Sequence, residues 1–192
     1  MTSNSGFKEP ANAEWFLKAL LYGCVAVFIL WLIGRMLSGS VGPLRQIAQS
    51  QRCQSNQSRL MQAFGIYAAD NQDYLPPAQN WMKVVGVYTD KPNRFHCPSI
   101  QEQQLYGYGM VATSAGLKRD EDNAVKPLMF DSENAVFNAF SKDVELPKKG
   151  RHIARIAKGQ PWIHGGFVST IGGSIKFVPI GTPIKDLTKK PN

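Results

Sequence analysis

Residues able to carry chemistry are scarce in this chain. Its 192 residues include three histidines and three cysteines. There is no Gly-x-Ser-x-Gly elbow, no His-Glu-x-x-His helix and no phosphate loop. His96, His152 and His164 have no His or Cys partner at zinc-ligand spacing, except that His96 adjoins Cys97. Adjacent residues on an extended chain point to opposite sides, so one site would rarely use both. These absences turn the reading away from an enzyme, and no metal or cofactor is expected. Asp70 and Asp73 depart from calcium-loop spacing and read as turn-capping residues. Gly165-Gly166 and Gly172-Gly173 read as turns, not ligand cradles. No internal repeat is visible.

Negative charge is also in short supply. Lys and Arg number 22 against 14 Asp and Glu. Three of those cations and two of the anions lie at or before Arg35, leaving 19 against 12 in the remainder. A net positive domain favours lipid headgroups or an acidic protein surface. Nucleic acid is not expected as a partner, because no basic stripe interleaved with aromatics appears. Lys142, Lys148, Lys149, Arg151, Arg155 and Lys158 form the densest basic segment. It is either a solvated loop or a docking surface.

What the chain does have is one long apolar run. Ala19 to Gly34 is sixteen residues without a charge, bounded by Lys18 and Arg35. At about 1.5 Å per residue the run covers ~24 Å, less than the roughly 30 Å of bilayer hydrocarbon. Trp15, Phe16 and Leu17 extend it on one side, and Met36 and Leu37 on the other. Lys18 and Arg35 can snorkel to the headgroups. Trp15 and Trp31 lie near opposite ends, where amphipathic rings prefer the interface. The preceding segment is neutral and the run ends Gly34-Arg35-Met36-Leu37, which does not resemble a signal-peptide cleavage site. A retained single-span anchor over 15–37 is expected, with the lipid bilayer as its partner.

Orientation is pulled both ways. Arg35, Arg45 and Arg52 against a neutral N-terminus point the domain to the cytoplasm. Cys24 lies in the span as a small packing residue. That leaves Cys53 and Cys97, an even pair able to form one disulfide or to remain as two buried thiols.

Along the rest of the chain, 1–14 is polar and reads as disordered. Ser38-Gly39-Ser40-Val41-Gly42-Pro43 is expected to break the helix, so 38–43 reads as a hinge, with Pro43 in the first turn of a new helix. From Leu44 to about Asn71 an apolar face recurs at three- and four-residue steps through Ile47, Cys53, Leu60, Phe64, Tyr67 and Ala68. Leu60, Phe64 and Tyr67 are the expected helix–sheet core. Residues 71–99 are loop-rich, with a short helix around Trp81–Tyr88. Strands are expected at 105–111, 126–131, 163–171 and 173–180, the last two as a hairpin turning at Gly172-Gly173. Residues 132–160 read as irregular and 182–192 as a polar tail. The fold class is α+β: a transmembrane helix, continued by a long amphipathic helix packed on a small antiparallel sheet, with 44–181 as one domain.

These residues carry a resemblance. Cys53-x-x-Asn56, Leu60, Ala63, Tyr67 and Asp70-Asn71-x-Asp73-Tyr74-Leu75-Pro76-Pro77 resemble the bacterial type II secretion pseudopilin-like (prepilin-type) proteins. Trp81, Phe95-His96-Cys97-Pro98-Ser99 and Tyr106-Gly107-Tyr108 follow in the family's order. Leu128-Met129-Phe130-Asp131 and Gly172 to Val178 match its Phe-x-Asp strand and terminal hairpin. Arg151-His152 matches its Arg-His pair. The resemblance covers about 45–180. It implies a pilin-like fold and a domain facing away from the cytoplasm, in the periplasm or extracellular space, anchored in the bacterial inner membrane. Disulfides persist there, and long domains translocate regardless of flanking charge, so a Cys53–Cys97 bridge is expected.

Two departures matter. Gly6-Phe7-Lys8-Glu9-Pro10 only echoes a pilin processing site, and Gly172 stands where the hairpin has Asp. The function expected is therefore a non-catalytic accessory or structural subunit of a larger membrane complex of respiratory, photosynthetic or transport type. The alternative is a minor pseudopilin or pilin component of a secretion or pilus machine.

Overall fold

The computed structural model describes residues 13–100, 104–155 and 160–183. The expected disordered start lies almost wholly outside these residues, as does most of the expected tail. The chain divides into two compact units at Leu44/Arg45.

The first unit is helical. Trp15–Met36 is 22 residues, long and apolar enough to cross a membrane, and none of it is buried among the described residues. Trp15, Trp31, Phe28 and Leu30 are all exposed. The expected break at 38–43 is not seen. The helix α1 runs Ala13–Asp70 with Pro43 inside it. Pro43 has no N–H to offer the carbonyl one turn earlier, yet the backbone stays helical on both sides. Leu44–Ala48, just after the proline, are good helix formers.

The second unit contains the rest of α1 and a mixed sheet. Cys53, Leu60, Ala63, Phe64 and Ala68 are buried, at the three- and four-residue spacing that puts them on one helix face. All but Ala68 share a core cluster with Trp81, Met82, Val85, Tyr108, Met110, Leu128, Met129 and Ile171. Phe64 stacks on Trp81 at 5.6 Å between ring centres. Tyr67 is only half-buried and meets Tyr88 edge-on, 6.0 Å away, at the rim of the core.

The short helix α2 spans Trp81–Gly86. Its first N–H groups have no carbonyl within the helix to bond, and the Asn138 side chain supplies an acceptor. Met82 N donates to Asn138 Oδ1 at 2.8 Å. Trp81 Nε1 donates to the Ala139 carbonyl at 2.9 Å, so its large ring is buried without an orphaned donor.

The strands are β1 Tyr108–Val111, β2 Pro127–Asp131, β3 Phe140–Ser141, β4 His152–Ala154, β5 Ile163–Thr170 and β6 Ile175–Pro179. The order is β3-β1-β2-β5-β4, with β6 also paired to β5. Most pairs are antiparallel; the two-residue β3 is parallel to β1. The stretch expected to be irregular thus supplies two short strands, too short to leave a periodic signature. The expected hairpin is present, but its loop is longer than a two-residue turn. Gly173 N donates to the Thr170 carbonyl and Thr170 N to the Ser174 carbonyl, both at 2.9 Å. Gly173 has φ 90°, the backbone of a three-residue hairpin closed by a glycine bulge.

Gly165-Gly166 is not a turn. Both residues lie within β5, at the point where its partner strand changes. β4 pairs His152 with Gly165, while β2 pairs Phe130 with Val168. β6 occupies the opposite edge along Gly165–Ser169. A Cβ on Gly165 would meet the Val178 carbonyl at 2.2 Å, and one on Gly166 would meet Leu146 at 2.7 Å. Close approach demands glycine there.

Candidate functional site

Between the ends of β2 and β4 the edge of β5 has no strand beside it. Phe167 therefore presents a backbone N–H and C=O with no ladder partner, and buried groups of this kind must be satisfied. Asp131, the last residue of β2, accepts from Phe167 N through Oδ2 at 2.6 Å. Gln57, from α1, donates Nε2 to the Phe167 carbonyl at 3.4 Å and to Asp131 Oδ1 at 3.1 Å. Ser169 Oγ donates to Gln57 Oε1 at 2.7 Å. One carboxylate and one amide thus take the place of missing backbone partners.

His152, the first residue of β4, completes the cluster. Its Nε2 lies 3.1 Å from Asp131 Oδ2, with both side chains fully buried. The same nitrogen is 3.6 Å from Cys97 Sγ, and Nδ1 is 3.3 Å from Ser99 Oγ. The Phe167 ring covers the imidazole at 4.9 Å. Cys97 is bonded to Cys53 on α1, with a Cα–Cα distance of 5.0 Å. The bridge ties the end of the loop-rich segment to the helix.

Two further groups seal the cluster. Tyr108 is directly opposite Asp131 in the β1–β2 ladder and donates to the Cys53 carbonyl at 3.2 Å. Burial, and then the Asp131 charge, push its phenol well above its ordinary pKa, so it stays neutral. Arg151 points inward: its guanidinium donates to the carbonyls of Gly107 and Ser132. Burial lowers its pKa, opposed chiefly by Asp131. Its positive charge faces the buried carboxylate.

Chemically, Cys97, His152 and Asp131 superficially suggest a nucleophile, a base and an orienting acid. Catalysis of that kind needs the two partners on opposite ring nitrogens. Here both meet Nε2, Cys97 is oxidised, and the three residues are 0–1 % exposed. In this state the cluster joins α1, β2, β4 and β5 and has no face open to a substrate.

The expected site residues fall as follows. Cys53 and Cys97 are bonded, and Cys24 is a free, exposed thiol. Trp15, Lys18, Trp31 and Arg35 lie on the exposed apolar helix. Leu60 and Phe64 are in the core and Tyr67 at its rim. The basic segment does not form one surface. Lys142, Lys148 and Lys149 are exposed, Arg155 stacks over Trp162 at 4.4 Å, and Arg151 is turned inward. Lys158 lies outside the described residues. Lys148 also borders an open groove floored by Val144, Leu146, Pro147 and Val178, whose rim includes Glu133 and Glu145.

Sequence reasoning missed Gln57 and the joint role of Asp131 and His152. Gln57 lies 74 residues from Asp131 and 112 from Ser169. The one available signal was a polar residue on the apolar stripe of α1, between Cys53 and Leu60. No protein-family model, no curated protein and no solved structure matches this chain.

Proposed function

We propose that this chain is a non-catalytic, membrane-anchored accessory or structural subunit of a larger bacterial membrane complex, of respiratory, photosynthetic or transport type. Its domain lies in the periplasm or extracellular space, and its partners are the lipid bilayer and the other subunits. The observation that carries this reading is the pairing of an uncovered apolar helix with a domain whose convergent polar groups bond only one another. A helix with fifteen exposed large apolar side chains between Trp15 and Met36 needs lipid or protein around it. A buried cluster whose polar groups are bonded to one another and to the sheet backbone serves the fold.

The disulfide supports an oxidising compartment. Exposed Lys142, Lys148 and Lys149 support docking against an acidic surface. Extraction of native membranes into mild detergent, followed by affinity isolation of the tagged chain, tests the reading. A defined set of partner subunits in fixed ratio is expected; recovery as a lone, monodisperse chain would sink it.

A second reading, a minor pseudopilin or pilin component, is favoured by the continuity of α1 from the apolar stretch into the domain. There the family resemblance of Cys53, Asn56, Cys97 and Tyr108 would extend to assembly. Intact mass separates the two: a chain starting within its first ten residues and carrying a methylated amine supports the pilin reading.

A further inference from the structure

The sulfurs of Cys53 and Cys97 and a ring nitrogen of His152 lie within 4.8 Å of one another, and all three residues are buried. From this juxtaposition we propose that the bridge is one of two interchangeable staples, and that its reduced form is a zinc site. This goes beyond the subunit reading and does not depend on it.

The donor set decides the metal. Two thiolates and an imidazole are the soft and borderline ligands that select zinc. Around one ion with Zn–S of about 2.3 Å, tetrahedral geometry sets two sulfurs roughly 3.8 Å apart. The three donors lie within 4.8 Å of one another, and once the S–S bond is broken the sulfurs need only part to the tetrahedral distance while the imidazole closes on them. Asp131 Oδ2, 3.1 Å from His152 Nε2, lies outside this set of three but places a carboxylate beside it. Cys97 Sγ and Asp131 Oδ2 both converge on Nε2, which has one proton to share. An ion replacing that proton would bind His152 and Cys97 at once, with Cys53 completing the three.

The surroundings also suit a ligand set. Ser99 Oγ sits at 3.3 Å from His152 Nδ1, so it can accept Nδ1–H once Nε2 gives its lone pair to the metal. Gln57 Nε2 holds the other oxygen of Asp131 at 3.1 Å. Outer contacts of this kind fix tautomer and orientation at zinc sites. The sealed cluster also removes competing water.

The exchange balances simply. A dithiol reductant gives two electrons and two protons to the S–S bond, leaving as its own disulfide. Cys53 and Cys97 become thiols. Zn²⁺ then displaces their two protons to solvent and takes the Nε2 lone pair. Either staple holds α1 to the segment ending at Cys97.

The test uses the full chain in detergent micelles. It is reduced with a phosphine, incubated with Zn²⁺ and dialysed without oxygen. X-ray absorption at the zinc edge is read beside near-ultraviolet circular dichroism. The proposal expects one zinc per chain, a shell of two sulfurs with one imidazole, and unchanged circular dichroism; the oxidised chain retains none. No retained zinc, a shell of nitrogen and oxygen alone, equal uptake by the oxidised chain, or binding with loss of the aromatic signal would each overturn it.

Discussion

Asp131 has a donor on each oxygen and no solvent near it, so its removal should expose what it does. Asp131→Ala leaves the Phe167 N–H and one Gln57 contact unpaired beside the Arg151 charge. Each buried donor left without its acceptor costs about 1–3 kcal/mol, several in all. Denaturant unfolding of the disulfide-intact chain in detergent should show that loss; a midpoint within error of wild type would mean the cluster does not hold the sheet. Phe64→Ala should cost a similar ~3–5 kcal/mol, because it removes the ring stacked on Trp81 from a closed core.

Two titrations belong to this scale. Asp90 is held down to about 2, first by its hydrogen bond to Arg94, so Arg94→Gln should return it toward its ordinary 3.8. Carbon-detected NMR titration would read the change. Asp90 is exposed, and its contribution is lost as pH falls through its folded value. Tyr108 works in the other sense. Its folded pKa is raised, so the stability it contributes is complete below the unfolded value of 10.0 and is lost as pH rises beyond it. Tyr108→Phe should flatten that alkaline loss. Leu60 and Phe64 were legible at the residue scale because helix periodicity marks a buried face. Asp131, Gln57 and His152 were not legible as a cluster, since nothing local links residues so far apart in sequence.

Among the elements, α1 shows how propensity and proline can be outweighed. A Ser-Gly-Ser-Val-Gly-Pro run reads as a break, yet the helix continues through it. β5 shows the converse for glycine. The pair Gly165-Gly166 reads as a turn because turns are where glycine is commonest, but here it admits the Phe177 ring and the Asp131 and Leu146 side chains. Gly165→Ala should therefore destabilise the sheet by about 1–3 kcal/mol, toward the upper end because the clash is with backbone. Thermal melts of the variant check this, and an unchanged midpoint would mean the strands can separate at little cost. The four longer strands were legible at 105–111, 126–131, 163–171 and 173–180, the last two from the glycine pair between them. β3 and β4 are only two and three residues long, and pairing with β1 and β5 alone makes them strands. The loop-rich segment from Asn71 to Cys97 was legible as a loop, and the bridge accounts for its order. A loop of about 45 residues closed by a disulfide loses unfolded-chain entropy worth ~4 kcal/mol.

The whole molecule pairs a helix long and apolar enough to cross a membrane with a domain held by a buried disulfide. If the exposed lysines dock that domain, Lys148→Glu with Lys149→Glu should weaken subunit association, and added salt should weaken the wild-type contact in parallel. Arg151 is left intact in that experiment, because its guanidinium supports Gly107 and Ser132. Unchanged recovery of partners would return these lysines to the role of a solvated loop. The most direct measurement concerns the staple in its native setting. Cells are lysed into an alkylating agent, and the chain is digested without reduction and analysed by mass spectrometry. The account predicts a peptide pair joining Cys53 to Cys97, with Cys24 outside the bridge. Both domain thiols alkylated in freshly lysed cells would contradict the staple, and with it the placement of the domain outside the cytoplasm.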